Sequence, residues 1–149
     1  MLQIRNNGMF GYNFCNQTVS IYHASHQPEF RCRRIVFQGA YFDSREVGNV
    51  DVAGRSKERR CFILLPCGGK WPNWLESEQT EPLQGQWFHL EPGDRILKGE
   101  GPEIITRQQW SSFIPVNVPG LAVIKEVSAK EWKGIVRHVE AEAEWYKRW

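Results

Sequence analysis

Apolar and polar residues alternate in short stretches along most of this 149-residue chain, and turn-forming residues separate the stretches. Alternation with a period of two is typical of β-strands that bury one face. It predicts strands over residues 18–23, 31–42 and 121–127. The continuous apolar run 61–66, which ends in proline, predicts a strand buried on both faces. The pattern therefore favours an all-β fold.

The most informative turn pattern lies in residues 90–99. Its Pro-Gly-Asp sequence predicts a tight turn, which a short strand and a second turn follow, and residues 103–106 predict another short strand. The aspartate of this turn could act as an acid or a ligand, but its simpler role is to accept backbone amide hydrogen bonds within the turn. We therefore expect a structural role in turns for Pro92, Gly93, Asp94 and Gly99.

Three other places carry local signals. Gly39 interrupts a long predicted strand and indicates a bulge or bend. Thr106 is a suitable N-cap for a single helical turn. In residues 139–145, apolar residues alternate with glutamates, which predicts a strand, although the alanine and glutamate content would also suit a terminal helix.

These elements fit one domain, a small β-barrel of about six to eight mostly antiparallel strands with long loops and an extended N-terminal arm. We assign residues 1–16 to the arm, 17–145 to the barrel and 146–149 to a C-terminal tail. The polar stretch 43–60 predicts a long loop or a protruding hairpin, and residues 67–86 predict a second long connection.

Composition limits the function classes. A net charge of +2 is far from that of a dedicated nucleic-acid binder, so contact with DNA would need a local patch. The sequence contains no apolar run of membrane-spanning length and no secretory signal at its start, which predicts a protein made and kept in a cytoplasm.

The four cysteines are predicted to be reduced structural residues, because none lies in a C-x-x-C motif. A metal site that combines Cys61 and Cys67 with His23 or His26 is the alternative, but this spacing matches no zinc module. No motif that ties residue spacing to a catalytic mechanism occurs, so we expect no enzyme activity. The rival class, a small hydrolase, has only generic histidines and aspartates in its favour.

Two basic groups could meet phosphates, and they support an alternative function as a nucleic-acid-binding β-barrel. The first group is Arg31, Arg33 and Arg34. The second, in the basic loop 55–60, is Arg55, Lys57, Arg59 and Arg60. Neither group has the interleaved aromatic residues of a base-stacking surface.

The order of the predicted strands resembles a family of small minor structural proteins from tailed phages and prophages of gut Firmicutes. The resemblance covers roughly residues 17–143, and its most specific part is the segment 87–99, in which aromatic residues precede Pro-Gly-Asp, with the Glu-Ile-Ile-Thr run at 103–106. More distantly, the strand plan is similar to head-completion proteins, also called stoppers or head-tail connectors. Those proteins are small β-barrels that form rings below the portal.

The resemblance implies a virion structural protein at the neck, made in the host cytoplasm and needing neither a cofactor nor a metal. It implies a homo-oligomeric ring of about six or twelve copies, with portal, adaptor and tail proteins as partners, no membrane, and packaged DNA as a further contact. Exposed aromatic residues suit subunit or partner contacts; the candidates are Phe10, Tyr12, Phe14, Trp71, Trp74, Trp145 and Trp149. The candidates for facing a DNA channel or an acidic partner are Arg33, Arg34, Arg55, Lys57, Arg59 and Arg60.

Overall fold

The computed structural model describes residues 2–5, 12–49, 56–66 and 90–145. Within these ranges there are seven strands and one short helix. Their bounds are β1 Leu2–Arg5, β2 Gln17–Ser25, β3 Arg31–Asn49, β4 Ser56–Pro66, β5 Arg95–Lys98, α1 Arg107–Ser112, β6 Leu121–Trp132 and β7 Ile135–Glu144. The last element is thus a strand, and the alternative of a terminal helix is wrong.

Six of these strands form a closed antiparallel barrel in the order β3-β2-β5-β6-β7-β4, and β4 returns to pair with β3. The predicted all-β barrel is therefore confirmed. Strand β1, which lies in the predicted arm, adds to β3 in parallel at residues 35–38. Pairing of β4 with β3 ends at Tyr41, so β1 covers the stretch of the β3 edge that β4 leaves open.

Alternating side chains fill the barrel. On β4, Cys61, Ile63 and Leu65 are at most 2% exposed and pack with alternate residues of β7, chiefly Val139 and Ala141. Small alanines on β7 face larger residues on neighbouring strands, as close packing in a narrow barrel requires. The outer face of β4 is covered as well, because Leu64 is also buried.

Gly39 bends β3, as its sequence position predicts. Its φ of 89° is in the left-handed region, and the register with β2 shifts there, so that Gln17 pairs with Ala40 and Thr18 with Gln38. A bulge of this kind increases the local twist that a small barrel needs to close.

Two hairpins extend beyond the barrel wall at opposite ends. One consists of the paired stretches 46–49 of β3 and 56–59 of β4, beyond the point where β4 and β7 pair. The other is the far half of β6 with the start of β7, whose turn has φ values of 52° at Lys133 and 75° at Gly134. Two positive φ values are those of the type I′ turn that suits a two-residue hairpin. The stretch 43–60 therefore contains a protruding hairpin, and residues 50–55 lie outside the described part.

The connection from β5 to β6 packs on the outer face of the barrel. A second apolar cluster joins Tyr22 and Leu97 of the wall to Trp110 and Phe113 of this connection. Helix α1 begins at the N-cap expected at Thr106, whose hydroxyl accepts from the Gln109 amide as part of a capping box.

The predicted strand at 103–106 is wrong, because these residues form an irregular approach to the helix. The reason is tertiary: Ile104 is buried in the outer cluster, while Ile105 is 67% exposed and its amide bonds to the Gln109 side chain.

The start of this connection is fixed by side chains of β2 and β3. The buried Ser20 hydroxyl donates to the Gly99 carbonyl at 2.7 Å and accepts from the Gly101 amide at 2.8 Å. The Tyr22 hydroxyl donates to the Pro102 carbonyl at 2.6 Å, and the Arg34 guanidinium donates to the Gly101 carbonyl. A Cβ at Gly101 would lie 2.3 Å from the Tyr22 hydroxyl, so only glycine fits.

Candidate functional site

A polar cluster of His23, Glu91 and Asp94 lies at one end of the barrel. Alternation along β2 places His23 on the same face as the core residues Val19 and Ile21, but nearer the strand end. Glu91 and Asp94 are the first and last residues of the Pro-Gly-Asp turn that leads into β5. Because β2 and β5 are paired, the histidine and the turn meet at the same end of the barrel.

The turn has the geometry that its sequence predicts. Gly93 has a φ of 97°, and the Asp94 amide donates to the Glu91 carbonyl at 3.0 Å. One carboxylate oxygen of Asp94 accepts from the Glu91 amide at 2.8 Å, which confirms the structural role expected for this aspartate. The turn is joined to β6, because the Gly93 amide donates to the Ile124 carbonyl at 2.9 Å.

Asp94 also has a second partner, which its place in the turn does not predict. Its Oδ1 accepts a hydrogen bond from His23 Nδ1 at 2.6 Å, and Glu91 Oε1 lies 3.6 Å from the same nitrogen. Asp94 is only 3% exposed. The contact joins residues 71 positions apart, so local sequence patterns give no signal for it.

The electrostatics of the cluster follow from this geometry. The hydrogen bond that His23 donates to Asp94 raises the pKa of His23, while burial and the nearby charge of Arg33 act against it. Burial raises the pKa of Asp94, while His23 and the Glu91 amide act to lower it. The cluster is therefore a histidine held between two acidic groups.

A second group, the outer aromatic cluster, consists of Tyr12, Phe14, Tyr41, Phe62 and His138. Tyr12 donates its hydroxyl proton to His138 Nδ1 at 2.6 Å, and His138 Nε2 donates to Glu140 at 3.2 Å. Phe14 meets Tyr41 edge to face at 5.5 Å, and Tyr41 in turn contacts Phe62. The end of the predicted arm thus lies on the wall of its own barrel, although Phe14 remains 51% exposed.

Of the other aromatic candidates, Trp145 is partly buried against the core of its own barrel. Phe10, Trp71, Trp74 and Trp149 lie outside the described residues.

The two basic groups lie at opposite ends of the barrel. Arg33 and Arg34 lie at the start of β3, at the end of the barrel that holds His23, whereas Arg60 lies at the opposite end, paired with Glu144. Lys57 and Arg59 belong to the hairpin beyond that opposite end, and Arg55 lies outside the described residues.

The described cysteines, Cys15, Cys32 and Cys61, are free thiols. Burial raises the pKa of Cys61 to about 12 and that of Cys15 to about 11. Cys61 is buried in the barrel core, and among the described residues it is not one of the ligand-type side chains that lie together with His23. Cys67 lies outside the described residues.

Comparisons of the chain with protein-family models, with curated proteins and with solved structures found no significant match. Among the described residues, no helix has the length and apolar character needed to cross a membrane.

Proposed function

We propose that this chain is a structural subunit of a tailed-phage virion, a β-barrel that assembles into a ring at the neck between portal and tail. The observation that carries the proposal is the pair of hairpins that extend from opposite ends of the barrel. A subunit between two layers of other proteins needs contact elements at both of its ends. A barrel with a hairpin at each end meets that need.

The composition of the hairpins supports contact with proteins. Beyond the barrel, the β3–β4 hairpin pairs Glu46 with Arg59 and Gly48 with Lys57, so both charge signs occur along it. The β6–β7 hairpin carries Lys130 and Glu131, both exposed. Mixed charges favour a specific polar partner surface over a uniformly negative polymer.

The distribution of basic residues also favours this function over nucleic-acid binding. A DNA-binding barrel needs a continuous positive surface along the phosphate backbone. Here the two basic groups are at opposite ends, and the Arg34 guanidinium is bonded to the Gly101 carbonyl.

Mass photometry and negative-stain microscopy of the purified chain test whether it assembles into a ring. Antibody labelling of virions tests its position in the virion. We expect a closed ring of about six or twelve copies and label at the neck. A monomer at micromolar concentration, together with unlabelled virions, would overturn the proposal. Tight, steeply salt-dependent DNA binding by that monomer would establish the nucleic-acid alternative.

A charge reversal tests the hairpin contact itself. Lys130→Glu on the β6–β7 hairpin should reduce incorporation into virions, whereas Arg107→Glu on the outer connection changes the charge equally and should not. Among its described contacts Lys130 has one ion pair, with the partly buried Glu140 at 3.7 Å, so its reversal should leave the fold intact. Equal incorporation of the two variants would contradict a role for this hairpin.

A further inference from the structure

Three ligand-type atoms converge at the barrel end that holds the polar cluster. His23 Nδ1, a carboxylate oxygen of Glu91 and one of Asp94 all lie within 4.8 Å of one another. Two of them come from a single four-residue turn and the third from the neighbouring strand β2. This convergence does not depend on the proposed neck function.

We propose that His23, Glu91 and Asp94 bind a divalent transition-metal ion with the ligand preferences of Zn²⁺. One imidazole nitrogen and two carboxylate oxygens form a donor set that Zn²⁺ accepts, whereas Mg²⁺ and Ca²⁺ prefer oxygen ligands alone. Three protein ligands leave one position of a tetrahedral ion for water or for a group from a partner.

The distances between the three ligand atoms fit a tetrahedral ion after a small side-chain adjustment. Metal–ligand bonds of about 2.0–2.2 Å place tetrahedral ligand atoms about 3.3–3.6 Å apart. His23 Nδ1 and Glu91 Oε1 already lie 3.6 Å apart. His23 Nδ1 and Asp94 Oδ1, at 2.6 Å, share a proton, and an ion that displaces this proton would widen the gap by roughly 0.8 Å.

The surroundings hold the ligands in place. The second oxygen of Asp94 accepts from the Glu91 amide at 2.8 Å, which fixes the carboxylate and leaves Oδ1 toward the histidine. The side chain of Asp94 is 4% exposed, that of His23 is 21% and that of Glu91 is 44%, so the cluster is buried on one side and open to solvent on the other. The positive charge of Arg33 near His23 opposes the ion, and the two carboxylates outweigh it.

The bound ion would join β2 to the turn before β5 and so close this end of the barrel. It would also raise the melting temperature, because it binds the folded chain and the ligands are far apart in the unfolded one.

Titration of chelator-treated full-length protein with Zn²⁺ by calorimetry, and with Co²⁺ by visible absorption, tests the site. We expect one equivalent to bind, with the Co²⁺ spectrum of a site that contains nitrogen and oxygen ligands. Glu91→Gln should weaken binding by about tenfold or more, while Glu103→Gln, an exposed glutamate on the outer connection, should bind as the unaltered chain does.

Three results would overturn the proposal. The first is the absence of saturable Zn²⁺ binding, and the second is identical binding by the Glu91→Gln and Glu103→Gln variants. The third is an intense thiolate-to-Co²⁺ absorption band, which would assign the ion to cysteine instead. His23→Gln serves as a second variant, because its amide retains a hydrogen-bond donor for Asp94 while the imidazole ligand is lost.

Discussion

The Ser20 hydroxyl is the side-chain group whose removal has the clearest calculable effect. Ser20 is fully buried and bonds to both Gly99 and Gly101, the two ends of the bend after β5. In Ser20→Ala the lost hydrogen bond to the Gly99 carbonyl costs about 1 kcal/mol, and the buried Gly101 amide, left without its acceptor, costs about 1–3 kcal/mol. We expect the free energy of unfolding to fall by about 2–4 kcal/mol, a large part of the roughly 5–15 kcal/mol typical of a domain.

Urea denaturation followed by circular dichroism measures this loss. With a slope of about 2 kcal/mol per molar urea, the midpoint should fall by about 1–2 M without a change in slope. Ser25→Ala on the same strand is the matched control, because its exposed hydroxyl makes one long bond of 3.3 Å to the Gln27 carbonyl. Its effect should stay within about 0.5 kcal/mol. Equal midpoints for the two variants would refute the role of Ser20.

Four further predictions concern the outer connection and the thiols. Thr106→Ala removes the capping box of α1 and should lower the free energy of unfolding by about 1 kcal/mol in the same urea assay. Arg95→Met keeps an apolar stem against the Trp110 ring but loses the two hydrogen bonds to the carbonyls at the end of the helix. The free energy of unfolding should therefore fall by about 2–3 kcal/mol. A fall no larger than that of Ser25→Ala would contradict this prediction. Burial raises the pKa of Cys61 and of Cys32 to about 12, so iodoacetamide at about pH 8 should alkylate the native chain far more slowly than the chain in urea. For the same reason stability should fall as the pH rises from 9.0, the ordinary thiol pKa, toward 12, because only unfolded thiols ionise in that interval; a flat stability profile there would contradict this.

The parts of the fold that local patterns encode were predictable. The bend at Gly39, the cap at Thr106 and the Pro-Gly-Asp turn each depend on residues within a few positions of one another. The extension of β3 to Asn49 was one of two open alternatives, a long loop or a protruding hairpin, because the apolar alternation that marks the rest of the strand disappears in the polar stretch 43–60. Backbone pairing with β4 sustains that strand instead.

The candidate site was less accessible to sequence analysis. The turn gave a reason to notice Asp94, but its partner His23 is brought to it only by the pairing of β2 with β5. The aromatic alternation of Tyr12 and Phe14 was interpreted as an arm suited to a neighbouring subunit, and within one chain these residues lie against Tyr41 and His138. Contacts of this kind depend on the closure of the barrel, which no local pattern determines.

The most direct test of the proposed neck function is the mass of the purified chain in solution, read together with its position in the virion. Mass photometry should find a single closed species of about six or twelve subunits, and electron microscopy of antibody-labelled virions should place that species between head and tail. A chain that remains monomeric and leaves the neck unlabelled would contradict the account.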